Sequence, residues 1–186
     1  MKNKFIKIFL LGLFFSISFL KNVYSKEFQF LGAKLEVFDE GNLLTGSNGV
    51  KIISEGQIIE ANSFEYNKTD LHLKLLGQIK IIDSLKDTII TGNKIDYFEK
   101  LEKFFAEGNV KIKIGNQYLI NSSDLTYLKK KEHFFSKNKS TFNDNIGNKF
   151  ELNKFDYFKL SKQIRGSKIK FTDIQLNEYY IDNGIV

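Results

Sequence analysis

From residue 28 onward the chain alternates apolar and polar residues with a period of two, and the pattern recurs about every thirty residues. The aromatics Phe38, Tyr66, Tyr97, Tyr127 and Tyr157 stand 28, 31, 30 and 30 positions apart. Other columns keep register with them. Seven positions earlier lie Leu31, Ile59, Ile90, Ile120 and Phe150, and five earlier lie Ala33, Ala61, Gly92, Ser122 and Leu152. Seven positions later come Leu73, Phe104, Phe134 and Ile164, and eleven later Gly49, Gly77 and Gly108. A fixed period of this length means one supersecondary unit stacked on copies of itself, and alternation of period two means half-buried strands.

Within each unit the inward parity switches at a polar pair: Asn62-Ser63, Asn93-Lys94, Ser123-Asp124 and Asn153-Lys154. Such a one-residue shift of the pleat is the mark of a bulge or a sheet corner. Turn residues fall between the alternating runs at 67–70, at Glu99-Lys100 and at Gly115-Asn116. Two strands joined by a short turn form an antiparallel hairpin. Residues 97–105 are the best helical candidate, but their register matches the strand columns, so they too are expected to form a hairpin. The reading is an all-β antiparallel meander of about five strand-pair units. Residues 179–186 stop in an apolar run, which suggests a sheet edge or a truncated longer protein.

The N-terminus departs from this pattern. Lys2, Lys4 and Lys7 precede a largely apolar run of thirteen residues at 8–20, and Val23-Tyr24-Ser25 supplies a cut site after Ser25. A secretory signal over 1–25 and a single exported domain over 26–186 are expected. The apolar run falls short of the roughly twenty residues that span a bilayer. Lys21 and Tyr24 depart from an ideal cleavage region, so a retained anchor stays open. Residues 1–25 hold four Lys and no acid, which leaves 24 basic against 22 acidic residues, a net of +2. The basic balance of the whole chain therefore gives little support to nucleic-acid binding, which wants a concentrated basic face. No Cys is present, so disulfides, thiolate sites and a lipidated cysteine are excluded. Nineteen Phe and eight Tyr with no Pro reinforce the strand reading.

The run Ala61-Asn-Ser-Phe-Glu-Tyr66 through Gly77-Gln-Ile-Lys-Ile81 recurs as Gly92-Asn-Lys-Ile-Asp-Tyr97 through Gly108-Asn-Val-Lys-Ile112. This pattern resembles the OstA-like domain of the lipopolysaccharide transport machinery over nearly all of residues 26–186, and weakens in the last unit around Gly166 and Lys168. The resemblance implies an open twisted β-jellyroll whose interior takes the acyl chains of lipid A. It also implies stacking with other such jellyroll domains by edge-strand addition, self-association included, in the periplasm. Three members of the machinery fit: the soluble bridge component, the N-terminal domain of the outer-membrane translocon, and the inner-membrane-anchored component. The short apolar run argues against the last.

Binding a lipid needs a continuous apolar lining more than any single residue. The candidates are Ile59, Leu73, Ile90, Phe104, Ile120 and Phe134, read as recurring on one face; the competing reading is that they fill a closed core. Leu31 and Leu35 mark the N-terminal edge (residues 28–38), and Leu176 and Ile181 the C-terminal edge (residues 174–186). Strand addition is expected at both edges. The tyrosine column is read as core and register. Lys51, Lys80, Lys111 and Lys113 are read as solvated edge guards, with lipid phosphate as the other role. His72 and His133 are read as surface residues without a metal. Acids are scattered and paired in sequence with Lys. Nothing resembles a nucleophile with its base or a carboxylate dyad, so neither an enzyme nor a cofactor is expected. An assembling envelope β-repeat protein without lipid is the alternative of another class.

Overall fold

The computed structural model describes residues 28–185; the signal expected over 1–25 lies outside them. The described chain is built of β-strands with three short 3-10 turns. The strands are β1 (Gln29–Phe38), β2 (Leu43–Ser54), β3 (Gln57–Ala61), β4 (Ser63–Asn67), β5 (His72–Asp83), β6 (Thr88–Phe98) and β7 (Lys103–Ile114). They continue as β8 (Tyr118–Leu128), β9 (His133–Ser136), β10 (Ser140–Asp144), β11 (Lys149–Leu152), β12 (Lys154–Phe158), β13 (Gln163–Thr172) and β14 (Glu178–Ile185). All fourteen belong to one sheet, and the pairings are antiparallel. The helical candidate is a hairpin, as expected: β6 and β7 are joined by a 3-10 turn at Glu99–Leu101.

Each long strand serves two halves of the sheet. In β2, Val50–Ser54 pairs with β3, whereas Leu43–Gly46 pairs with β4. In β5–β6, β6–β7 and β7–β8 the same division is marked by register shifts at Leu76/Ile79, Thr91/Lys94 and Glu107/Val110. These shifts fall where the polar pair of one strand meets the glycine of its neighbour. Gly77 and Gln78 both have positive φ, 73° and 46°, as do Gly108 and Asn109, 74° and 50°. Two successive left-handed residues insert the extra position of a bulge, and glycine takes the first without a Cβ penalty. The bulged strand keeps its inward parity (Leu73, Leu75, Ile79 and Ile81 in β5), while its partner changes parity at the polar pair (Ile90, then Ile95 and Tyr97 in β6), so both ends of each strand turn their apolar residues to the same interior.

Two rows of cross-strand neighbours fill that interior. The first ladder runs Phe30, Ile52, Ile59, Ile81, Ile90, Ile112, Ile120, Phe142, Phe150 and Phe171, one residue per strand. The second runs Leu44, Tyr66, Leu73, Tyr97, Phe104, Tyr127, Phe134, Tyr157 and Ile164. The ladders face one another. Phe142 of the first packs edge-on against Phe155 of the other half, ring centroids 4.6 Å apart, and Tyr118 meets Tyr157 at 5.4 Å. At the N-terminal end Phe30 stacks on Phe64 at 4.8 Å. The bulge has therefore folded a single sheet into a two-layered structure with one apolar seam.

Candidate functional site

The six residues expected to line a lipid trough are all buried, from 0 to 3% exposed. They do not share one row. Ile59, Ile90 and Ile120 belong to the first ladder, and Leu73, Phe104 and Phe134 to the second, because the bulge separates the columns before and after each aromatic. The one-face expectation is thus corrected to two facing rows. The tyrosine column sits between phenylalanines: Tyr97 stacks on Phe104 at 4.2 Å and Tyr127 on Phe134 at 4.0 Å.

The tyrosine hydroxyls differ in what they reach. Tyr66 donates to Glu99 Oε1 at 2.7 Å. The hydroxyls of Tyr97, Tyr127 and Tyr157 are buried without a protein partner among the described residues. Burial is the first cause that pushes all three phenols up. For Tyr97 and Tyr127 carboxylates add to it, Glu102 and Asp83 among them. Tyr157 is pushed up to about 12, with Tyr118 and Glu132 adding to burial. All three therefore remain protonated donors across the physiological range.

At the mouth of the seam the two layers are joined by polar groups that the sequence reading did not single out. Asp83, at the end of β5, is 3% exposed; it accepts from Gln57 Nε2 at 2.7 Å and pairs with Lys129 Nζ at 3.4 Å. Lys129 opens the 3-10 turn after β8, in the opposite half. Lys86, in the β5–β6 hairpin, pairs with Glu132 beyond that turn, and the ammonium of Lys159 donates to the Lys86 carbonyl. Period two does carry a signal for part of this cluster. Asp83 follows Ile79 and Ile81 at inward positions, and Gln57 precedes Ile59 in the same way. The lysines come from turns, where no alternation indicates direction.

The expected edges are partly corrected. Among the described residues, β1 and β14 are each paired on one side only. Leu31 and Leu35 on β1 are 42% exposed, and Ile181 on β14 is 41% exposed. The C-terminal strand begins at Glu178, not at residue 174. Leu176 lies in the preceding turn with φ 67°, where Asp173 accepts from the Gln175 and Asn177 backbone N–H groups and so holds the chain out of the ladder. Lys51, Lys80, Lys111 and Lys113 are exposed, on the outer face. His72 and His133 also lie on that face, yet they are more engaged than surface residues. His72 stacks on Phe98 and meets Asp96 Oδ1 at 2.9 Å, and His133 stacks on Phe158 and meets Asp156 Oδ1 at 2.8 Å.

No protein-family profile matches the chain, and no curated protein sequence matches it significantly. Among solved structures, it is similar to the crystal structure of LptH from Pseudomonas aeruginosa, described as the LptA-homologous periplasmic component of the conserved lipopolysaccharide transport device. The likeness covers 87% of this chain and 94% of that one, with a TM-score of 0.32 at 10% identity. No residue-by-residue correspondence follows from so low an identity.

Proposed function

We propose that this chain is a non-catalytic carrier that admits the acyl chains of lipopolysaccharide between its two ladders and passes the lipid along the seam. It would act in the periplasm, joined through β1 and β14 to other jellyroll domains. The observation that carries the reading is the pair of uninterrupted apolar rows, one running from Phe30 on β1 and the other from Leu44 on β2, both as far as β13. The motif resemblance to the OstA-like domain supports it. Lipid admission requires the layers to part, since the ladder residues touch in this structure. Parting them exposes apolar surface, and an inserted chain covers that surface again at about 0.8 kcal/mol per methylene. The exchange is close to neutral, which suits a relay more than a store. A soluble bridge component or the N-terminal domain of a translocon would use the same two edges.

The tight burial of the ladders favours one second reading, a structural β-repeat protein that assembles without lipid. A photo-crosslinking residue in place of Phe104 or Ile120 separates the two. Adducts with lipopolysaccharide in exported protein are the outcome expected of the carrier. Intramolecular products alone, at both positions, would leave the structural reading.

A further inference from the structure

The hydroxyls of Tyr97, Tyr127 and Tyr157 have no role in a purely apolar seam. Each rung of the second ladder could carry a phenylalanine, as Phe104 and Phe134 show. A buried hydroxyl that lacks a partner is a net loss against its isostere. The fourth tyrosine of the column shows what the position takes when an acceptor is within reach, because Tyr66 donates to the Glu99 carboxylate at 2.7 Å. Glu99 comes two positions after Tyr97 in its unit, and the same position in the next two units holds Lys129 and Lys159. The backbone N–H of Lys129 bonds to Glu102 O and that of Lys159 to Glu132 O, each stacking on the unit before as Glu99 does through Leu71 O. An ammonium donates and cannot accept. The carboxylate that serves Tyr66 is thus absent from the positions that match it for Tyr97 and Tyr127, and the hydroxyls of Tyr97, Tyr127 and Tyr157 are left without an acceptor among the described residues.

We propose that the Tyr97, Tyr127 and Tyr157 hydroxyls are three equivalent donor stations for the ester or amide carbonyl oxygens that head the acyl chains of an amphiphile. The proposal rests on the carrier reading and assigns the part of the ligand that the apolar rows cannot recognise. The stations lie two rungs apart, roughly 10 Å at the spacing of adjacent strands. Since the units repeat, a carbonyl released by one hydroxyl meets a matched one at the next. The ring stacking of Tyr97 on Phe104 and of Tyr127 on Phe134 fixes where the hydroxyls point.

The test compares two probes of equal chain length, monododecanoyl glycerol and its ether analogue, in which a methylene replaces the carbonyl. Binding of each is measured by displacement of a fluorescent fatty acid from the exported protein. The wild type is expected to prefer the ester by about tenfold, the size of one good hydrogen bond. The triple variant Y97F/Y127F/Y157F should bind both probes equally, with ether affinity unchanged; Tyr127→Phe alone should lose part of the preference should the triple variant fold poorly. The melting temperature of each single variant should hold or rise. A preference that survives the triple variant overturns the stations and leaves the carrier reading standing. Equal binding of ester and ether by wild type, or a melting temperature lowered by each single variant, means that water already serves the hydroxyls and also overturns them. Failure of wild type to bind either probe, together with no lipid adduct at Phe104, removes the carrier reading and the stations with it.

Discussion

At the scale of single residues the fold depends on pairs that are remote in sequence and adjacent in space. A Cβ on Gly77 would lie 2.6 Å from Nδ2 of Asn62, and φ there is +73°. Gly108 stands in the same relation to Asn93, at 3.0 Å with φ +74°. The glycine column and the asparagine column are both plain in the sequence, because each repeats. Their contact is not, because it is made across the bulge and only the paired register reveals it. Gly77→Ala must adopt a left-handed conformation that costs an L-residue about 1–2 kcal/mol, and it must also displace the Asn62 side chain. Urea denaturation should show at least that loss. The double variant Asn62→Gly with Gly77→Ala should recover the part due to the clash, so the cycle should give a non-zero coupling.

At the scale of elements the two layers are joined by a buried charge contact between the end of β5 and the 3-10 turn Lys129–Lys131. Asp83 and Lys129 are 3% and 8% exposed, so water does little to relieve either charge once its partner is gone. Removing one member of a buried pair costs about 3–5 kcal/mol, whereas removing both can be nearly neutral. Lys129→Met should therefore lower stability by roughly that amount, and Asp83→Asn in the same chain should restore much of it. Equal effects of the single and double variants would show that the pair does not join the layers. Element existence was legible from alternation alone, since each strand has an apolar row to bury. The inward course of Asp83 was also legible, two residues beyond Ile81. Its partner was not, because Lys129 follows a strand of another unit and lies in a turn, where period two no longer applies. The start of β14 is hidden in the sequence for a related reason. Ile174 and Leu176 continue the apolar alternation, but the Asp173 side chain accepts from two backbone N–H groups and closes a turn around them.

At the scale of the whole molecule, the strand count fixes how copies can join. Ten antiparallel steps lead from β1 to β14 through either half of the sheet. An even number of reversals leaves β1 and β14 running in the same direction. A copy added head to tail, with its layers in line so that both ladders continue, must therefore pair β14 with the next β1 in parallel. Leu31 and Tyr180 lie on one outer row, connected through Lys51, Glu60, Lys80, Thr91, Lys111, Asn121, Thr141, Glu151 and Lys170. Continuing that row across a junction sets Tyr180 of one copy opposite Leu31 of the next. The chain has no native Cys, so introduced thiols report without background. Mixing Leu31→Cys with Tyr180→Cys protein should give a disulfide-linked dimer on mild oxidation, because directly opposed strand residues meet the Cα separation a disulfide needs. Mixing Leu31→Cys with Ile185→Cys should not, since Ile185 lies at the far end of a parallel neighbour. The reverse result would establish an antiparallel junction, in which the halves exchange sides and the two ladders cannot each run on into its counterpart.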